Sequence, residues 1–305
     1  MHLRDIYYLL KPVMPRRLQL YLRRQYVRQQ RSASTEIWPI DERATKPPEC
    51  WKGWPEGRKF ALVLTHDVDT ARGQGRCRDL MELEKGLGFR SSFNFVPRRY
   101  EVSAGLRKEL VDNGFEVGLH GLYHDGKYYT SREVFSQRAR LINGYLKEWN
   151  AVGFRSPSML HNLEWIGELE IEYDASTFDT DPFEPQSDGV FTIFPFMVPR
   201  KNGQPGYVEL PYTLPQDFTL FVLMRERGIG VWRRKLKWIA ERGGMVLLNT
   251  HPDYMVFDAG PLGIEEFSAD LYWQFLEHLK SDYDGQYWHA LPRDIARFWR
   301  TTQTK

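Results

Sequence analysis

Short, unbroken apolar runs alternate along this chain with longer amphipathic stretches. FALVLT (60–65), SSFNFV (91–96), FEVGL (115–119) and MVLLNT (245–250) have the character of buried strands. RDLMELEKGLG (78–88), GLRKELVDNG (105–114), SREVFSQRARLINGYLKEW (131–149), VWRRKLKWIAERGG (231–244) and EEFSADLYWQFLEHLK (265–280) have helical spacing. Gly114 ends the second of these helices as a stop residue. Shorter apolar pieces lie at AVGF (151–154) and IEYDAST (171–177), and a last pair, YWHA then LPRDIARFWR, closes the chain. The section from 181 to 217 is irregular and rich in Pro and Gly. This alternation predicts βα units around a largely parallel sheet or barrel.

Charge changes the picture at the N-terminus. Residues 1–31 hold eight Lys or Arg against one acid, and apolar residues recur at Leu18, Leu20, Tyr21, Leu22, Tyr26 and Val27. Pro12 and Pro15 separate an earlier piece, Ile6 to Leu10. Such a basic arm can lie on an anionic membrane or an acidic partner, or can pack on the domain by its apolar face, which is the expectation here. Residues 1–57 are therefore expected to form a basic helical arm and an irregular connection, with Trp38, Trp51 and Trp54 docking on a catalytic domain of residues 58–305.

The overall charge of +2 gives no reason to expect a nucleic-acid partner. Aromatic residues reach 14%, which suits a sugar-binding cleft but more often fills a core. Cys50 and Cys77 follow no pairing pattern and are expected as reduced thiols. No apolar run approaches the length of a transmembrane helix, and no secretory leader is recognised, so the expected location is cytoplasmic, with a membrane-peripheral setting as the alternative.

The chemistry gathers where strands end. FALVLT runs into His66, Asp67, Val68 and Asp69, and in extended chain the two carboxylates face the same way. An Asx-turn or helix cap is the plainer use of such residues. FEVGL is followed by His120 and His124, four apart, a spacing that lets two imidazoles reach one metal. With one carboxylate they make a facial set that leaves positions open for water and substrate. Arg155 follows a short apolar run in GFRSPSM, and His251 follows LLNT. Arg155 can lower a neighbouring carboxylate's pKa; a surface salt bridge is the simpler alternative.

In that order these residues resemble the polysaccharide deacetylase family, the NodB-homology domain of family-four carbohydrate esterases. The correspondence runs through Thr65-His66-Asp67-Val68-Asp69, His120-Gly121-Leu122-Tyr123-His124, Arg155-Ser156-Pro157, the neighbourhood of Ser176 to Asp179, and Leu248 to His251. It covers residues 58–300. The departures are an Asp-x-Asp in place of adjacent aspartates, Gly121 where the family has Ser or Thr, and Ser158 where an aromatic is usual. The first of these marks a divergent branch that includes cyclic-amide hydrolases.

The resemblance implies a distorted (β/α) barrel of NodB-homology type and a metal-dependent deacetylase of an N-acetyl sugar. Asp69, His120 and His124 are the expected ligands of a divalent metal, zinc first, with cobalt, nickel or iron as alternatives. Asp67 is the expected base and Arg155 its support, although Asp67 and Asp69 could exchange roles. His251 is the expected acid, backed by Asp179, with Asp174 as a competitor. His66 is expected to be structural. The expected partner is a carbohydrate or glycolipid and not a nucleic acid, with peripheral membrane contact through residues 1–31 as the alternative to packing on the domain. A cyclic-amide or small N-acyl hydrolase, and a non-catalytic carbohydrate-binding scaffold, are the other readings. Residues 182–220 are expected to wall the substrate side.

Overall fold

The computed structural model describes residues 14–303 apart from 50, 202 and 204, so the expected Ile6–Leu10 piece and Cys50 lie outside the described residues. The chain opens with helix α1 (Arg16–Ala33) and a connection to strand β1 (Phe60–Val68). Then follow α2 (Ala71–Leu87), β2 (Ser92–Phe95), α3 (Ala104–Asp112), β3 (Glu116–His120), α4 (Arg132–Trp149), β4 (Gly153–Arg155), the short α5 (Leu163–Ile166) and β5 (Tyr173–Asp174). Next come β6 (Phe196–Val198), β7 (Tyr207–Glu209), a π-helical turn (Phe218–Leu223), α6 (Gly230–Arg242) and β8 (Met245–Thr250). The chain closes with β9 (Met255–Val256), β10 (Phe267–Ser268), α7 (Asp270–Tyr283), β11 (Tyr287–His289) and α8 (Pro292–Gln303).

β1 is the hub, and every one of its residues is buried. One edge pairs in parallel with β8 from Ala61↔Met245 to His66↔Thr250. The other edge is shared: Phe60 to Leu62 pair with β11, and Thr65 to Val68 pair with β2. The parallel order continues through β3, β4, β5 and β7, and β6 adds antiparallel to β7. Beyond β7 the chain swings back to β8, where Thr213 and Leu214 donate to the Leu247 carbonyl at 3.0 and 3.1 Å. Phe178↔Tyr212 and Leu214↔Leu248 are isolated parallel bridges. The ring therefore closes through single bridges, which makes the distorted barrel that the family resemblance implies.

The helices follow local rules. Thr70, Ser103 and Ser131 cap α2, α3 and α4 by accepting backbone N–H bonds, as N-cap hydroxyls do. α2 starts seven residues before the expected Arg78, because Thr70 caps the weak helix formers Gly73 and Gly75 into its first turns. Glu265 and Glu266 are not helical: they turn towards Arg16 and Arg76, and α7 begins at Asp270. The connection docks as expected. Trp38 and Trp54 are buried, and Trp51 packs at 5.0 Å, centroid to centroid, on Trp299 of α8.

α1 is anchored on the body by Leu20 and Val27 and by Arg24, which donates to the Val222 carbonyl at 3.0 Å. It does not bury the wider apolar stripe expected of it. Leu18, Tyr21, Leu22 and Tyr26 lie on solvent, because the helix has apolar positions on two sides and only one meets the body.

Candidate metal centre and active site

Alternation along β1 sends Thr65 and Asp67 into the barrel and His66 away from it. His66 Nε2 lies 2.8 Å from Glu84 of α2 and Nδ1 2.7 Å from the Thr250 hydroxyl, while Ser91 donates to the other Glu84 oxygen at 2.6 Å. His66 is therefore a strut between sheet and helix.

Asp69, His120 and His124 come together beyond the strand ends. Asp69 Oδ1 is 3.1 Å from His124 Nε2 and 3.5 Å from His120 Nε2, and the three candidate ligand atoms all lie within 4.8 Å of one another. Oδ1 is buried and has no hydrogen-bond partner among the described residues. A buried carboxylate oxygen left bare is costly unless something fills its coordination. His120 Nδ1 faces the Arg155 carbonyl oxygen at 3.2 Å, so the ring proton belongs there and Nε2 keeps its lone pair for an ion. Burial lowers the His120 pKa to about 4, against the pull of Asp67 and Asp69, which keeps the ring neutral at physiological pH. The donors are those of a two-histidine, one-carboxylate metal site, and they fit a divalent ion.

The backbone around this triad is specialised. His124 has φ 55°, and Gly121 has φ 65°. A Cβ on Gly121 would lie 2.5 Å from Pro157 and 2.7 Å from the Tyr128 hydroxyl, so Ser or Thr has no room there. Gly73 is equally constrained, since a Cβ would meet the Asp253 carboxylate at 2.1 Å. That carboxylate accepts from the Asp69 backbone N–H at 2.8 Å and from the Thr70 hydroxyl, and so fixes the loop that presents Asp69.

Asp67 sits deeper. Asn94 and Arg155 donate to its Oδ1 at 3.0 and 3.2 Å, and Asn249 donates to Oδ2 at 2.9 Å. Arg155 Nη1 also donates to the Thr65 hydroxyl at 2.9 Å and to Asn249 Oδ1 at 2.5 Å, and Nε donates to the Ala175 carbonyl at 2.7 Å. Burial alone would raise the Asp67 pKa, but His120, Arg155 and the other donors outweigh it and hold it at about 2. Asp69 is also held below the ordinary carboxylate range despite burial, chiefly by His124 and His120.

His251 faces the same space, and its partner is not Asp179. Asp217 accepts from His251 Nδ1 at 2.7 Å and from the His251 backbone N–H at 2.8 Å. Burial would lower the His251 pKa, but Asp217 outweighs it and lifts it to about 10. Asp179 is instead ion-paired with Lys235 of α6 at 2.7 Å, and burial raises its pKa to about 6 against that partner. The expectation for Asp179 fails because it lies on the irregular segment after β5, where its carboxylate is taken up by Lys235 of α6. Asp174, the other candidate, accepts from the Ser176 hydroxyl at 2.7 Å, and burial beside the Glu209 carboxyl group raises its pKa.

Asp217, Asn94, Asn249 and Gln216 belong to the site without having been expected there. Asn94 and Asn249 carried a signal: each is the lone amide side chain in a wholly buried strand. Asp217 precedes an apolar run and caps the π-helical turn by accepting from the Phe218 N–H at 2.8 Å, so its sequence context reads as a cap.

The residues open into a cavity of about 550 Å³. Phe183, Glu184, Gln216 and Phe218 line one side, which agrees with the expected wall from 182–220. Arg23 and Arg99 line it as well and make no ion pair with a described residue.

No family model matches the chain, and no curated protein matches it by sequence. Solved structures do match by fold. A structure named Puue allantoinase is 17% identical with TM-score 0.64, over 88% of this chain and 99% of that one. A probable polysaccharide deacetylase from Pseudomonas aeruginosa is 17% identical with TM-score 0.63, over 88% of this chain and 100% of that one. The fold is the NodB-type barrel of the polysaccharide deacetylases, and the Asp-His-His triad stands at the strand ends of that barrel.

Proposed function

We propose that the protein is a metal-dependent hydrolase that removes an N-acetyl group from one sugar of a glycan or glycan precursor. The observation that carries this reading is the placement of Asp67 and His251 beside the Asp69–His120–His124 triad in one cavity. The triad would hold a divalent metal, zinc being the first choice for this donor set. When bound, such an ion polarises an acyl carbonyl and makes water acidic near neutral pH.

The protein's own groups supply the proton chemistry. Asp67 is ionised at neutral pH and held in place by Asn94, Arg155 and Asn249, so it acts as general base towards water. His251 is protonated, and Asp217 fixes its Nδ1 so that Nε2 is the proton donor to the departing amine. Arg155 orients Asp67 and stays buried, making no contact with substrate.

The cavity volume suits a single sugar residue more than a threaded polymer. Arg23 and Arg99 favour a substrate whose carrier is anionic, as a phosphate-linked sugar is. The basic residues of 1–31 support a lipid carrier and a cytoplasmic, membrane-peripheral setting. The test is a substrate panel for the purified protein: nucleotide-linked and lipid-linked N-acetyl sugars, a chitin oligomer, and allantoin as a cyclic amide. Acetate release from a linked N-acetyl sugar is expected. Ring opening of allantoin without acetate release would favour the cyclic-amide reading, and absence of both activity and bound metal would favour a non-catalytic scaffold.

A further inference from the structure

α1 has two apolar sides. Leu20 and Val27 face the body and are 1% and 4% exposed. Opposite them Leu18, Tyr21, Leu22 and Tyr26 stand 44%, 57%, 39% and 56% exposed. Their spacing puts them on one stripe of the helix. A loop beside the helix carries two further exposed apolar side chains, Leu262 and Ile264, 52% and 43% exposed, and is tied to the helix by Arg24, which donates to the Ile264 carbonyl at 2.9 Å. Large exposed side chains gathered in this way mark a contact surface.

Charge identifies the partner. Arg17 and Arg28 flank Tyr21 on the same helix, are exposed, and make no ion pair with a described residue. The first 31 residues carry eight cations and one acid, while the remainder of the chain is net acidic. An apolar, tyrosine-bearing stripe bordered by arginine is the pattern of a helix lying in the headgroup region of an anionic bilayer. The same helix also reaches the active site, because Arg16 and Arg23 line the catalytic cavity.

We propose that the outward face of α1, with Leu262 and Ile264, docks on an anionic lipid bilayer and brings the mouth of the cavity to the headgroups. The substrate is then an amphiphile whose sugar enters the cavity from the membrane plane while its phosphate meets Arg23 and Arg99, the cavity arginines that make no ion pair with a described residue. The membrane contact deepens the reading of a lipid-carried glycan, and its test reads binding rather than turnover, so either can fail alone.

The experiment is co-sedimentation of the full chain with vesicles of phosphatidylcholine alone or mixed with phosphatidylglycerol. The wild type is expected to pellet with the mixed vesicles and to stay in solution with the neutral ones. Leu22→Glu with Tyr26→Glu weakens binding by at least about tenfold, the effect of leaving two large apolar side chains in water. Arg17→Gln and Arg28→Gln each weaken it about fivefold, as the loss of one surface cation does. All variants release acetate from a water-soluble substrate at the wild-type rate, which shows that they are folded. The proposal is overturned if the wild type ignores anionic vesicles at low salt, or if the Leu22/Tyr26 variant binds like the wild type. A dimer in lipid-free sedimentation that the same variant dissolves would also overturn it, by assigning the stripe to a second copy.

Discussion

Replacing Asp217 by Asn tests the acid half of the chemistry without touching the metal triad. In the wild type the Asp217 carboxylate receives two N–H bonds from His251, at 2.7 Å from the ring and 2.8 Å from the backbone. Asn keeps one acceptor oxygen and the shape but loses the charge. An opposite charge at this separation moves a partner's pKa by about 1–3 units, or about 1.4–4 kcal/mol. The wild-type His251 pKa is raised to about 10, so the proton it must donate is retained through neutral pH and lost as pH rises through that value. In Asp217→Asn the proton is lost at lower pH. The basic limb of the kcat/KM profile for acetate release should move down by about 1–3 units, and the rate at pH 8 should fall by up to about 10-fold, the largest shift giving the largest loss. The acid limb, which belongs to Asp67 and the metal site, should stay where it is. A basic limb that does not move, or an acid limb that moves instead, refutes the assignment of His251 as donor. Asp179→Asn is the matched control: it breaks the pair with Lys235, lowers stability, and leaves the basic limb in place.

Other consequences follow from the same geometry. Asp67→Asn should lower kcat by about 10²- to 10⁴-fold while bound metal is retained, measured by single-turnover acetate release and metal analysis together. Gly121→Ser, which restores the family's residue, should cost about 1–3 kcal/mol in urea unfolding, because its Cβ would meet Pro157 at 2.5 Å; a neutral result would mean that the His120–His124 loop moves aside freely. Arg23→Ala should raise KM for a phosphate-linked sugar and leave kcat nearly unchanged, and an equal effect on an uncharged N-acetyl sugar would count against anion recognition.

How far the sequence leads depends on what each residue's position is determined by. Asp67, Asp69, His120, Arg155 and His251 were legible because each stands at or just past the end of a buried strand. A parallel barrel gathers those ends at one mouth. The runs that make β1, β3 and β8 were legible for a related reason: each is short, largely apolar and buried along its whole length, as a strand inside a parallel sheet is. Asp217 was not legible. Its position depends on the irregular path from 181 to 217, which leaves β5, passes β7 and returns to bond Leu247 of β8. No periodicity describes that path, so the nearer Asp179 was the natural expectation, and only the fold shows that it faces Lys235. The pairing of helix α1 fails to be legible in another way. Its apolar positions run round two sides, and a pattern of that kind states that the helix has partners without stating which side meets the body.

The central claim is that Asp69, His120 and His124 hold a metal on which hydrolysis depends. The most direct measurement is elemental analysis of purified wild type beside Asp69→Ala, His120→Ala and Asp67→Asn, with acetate release followed in the same preparations. The account predicts about one equivalent of divalent metal in the wild type and in Asp67→Asn, almost none in the two triad variants, and activity in the wild type alone. A metal-free wild type that still releases acetate, or a triad variant that keeps both metal and activity, would contradict it.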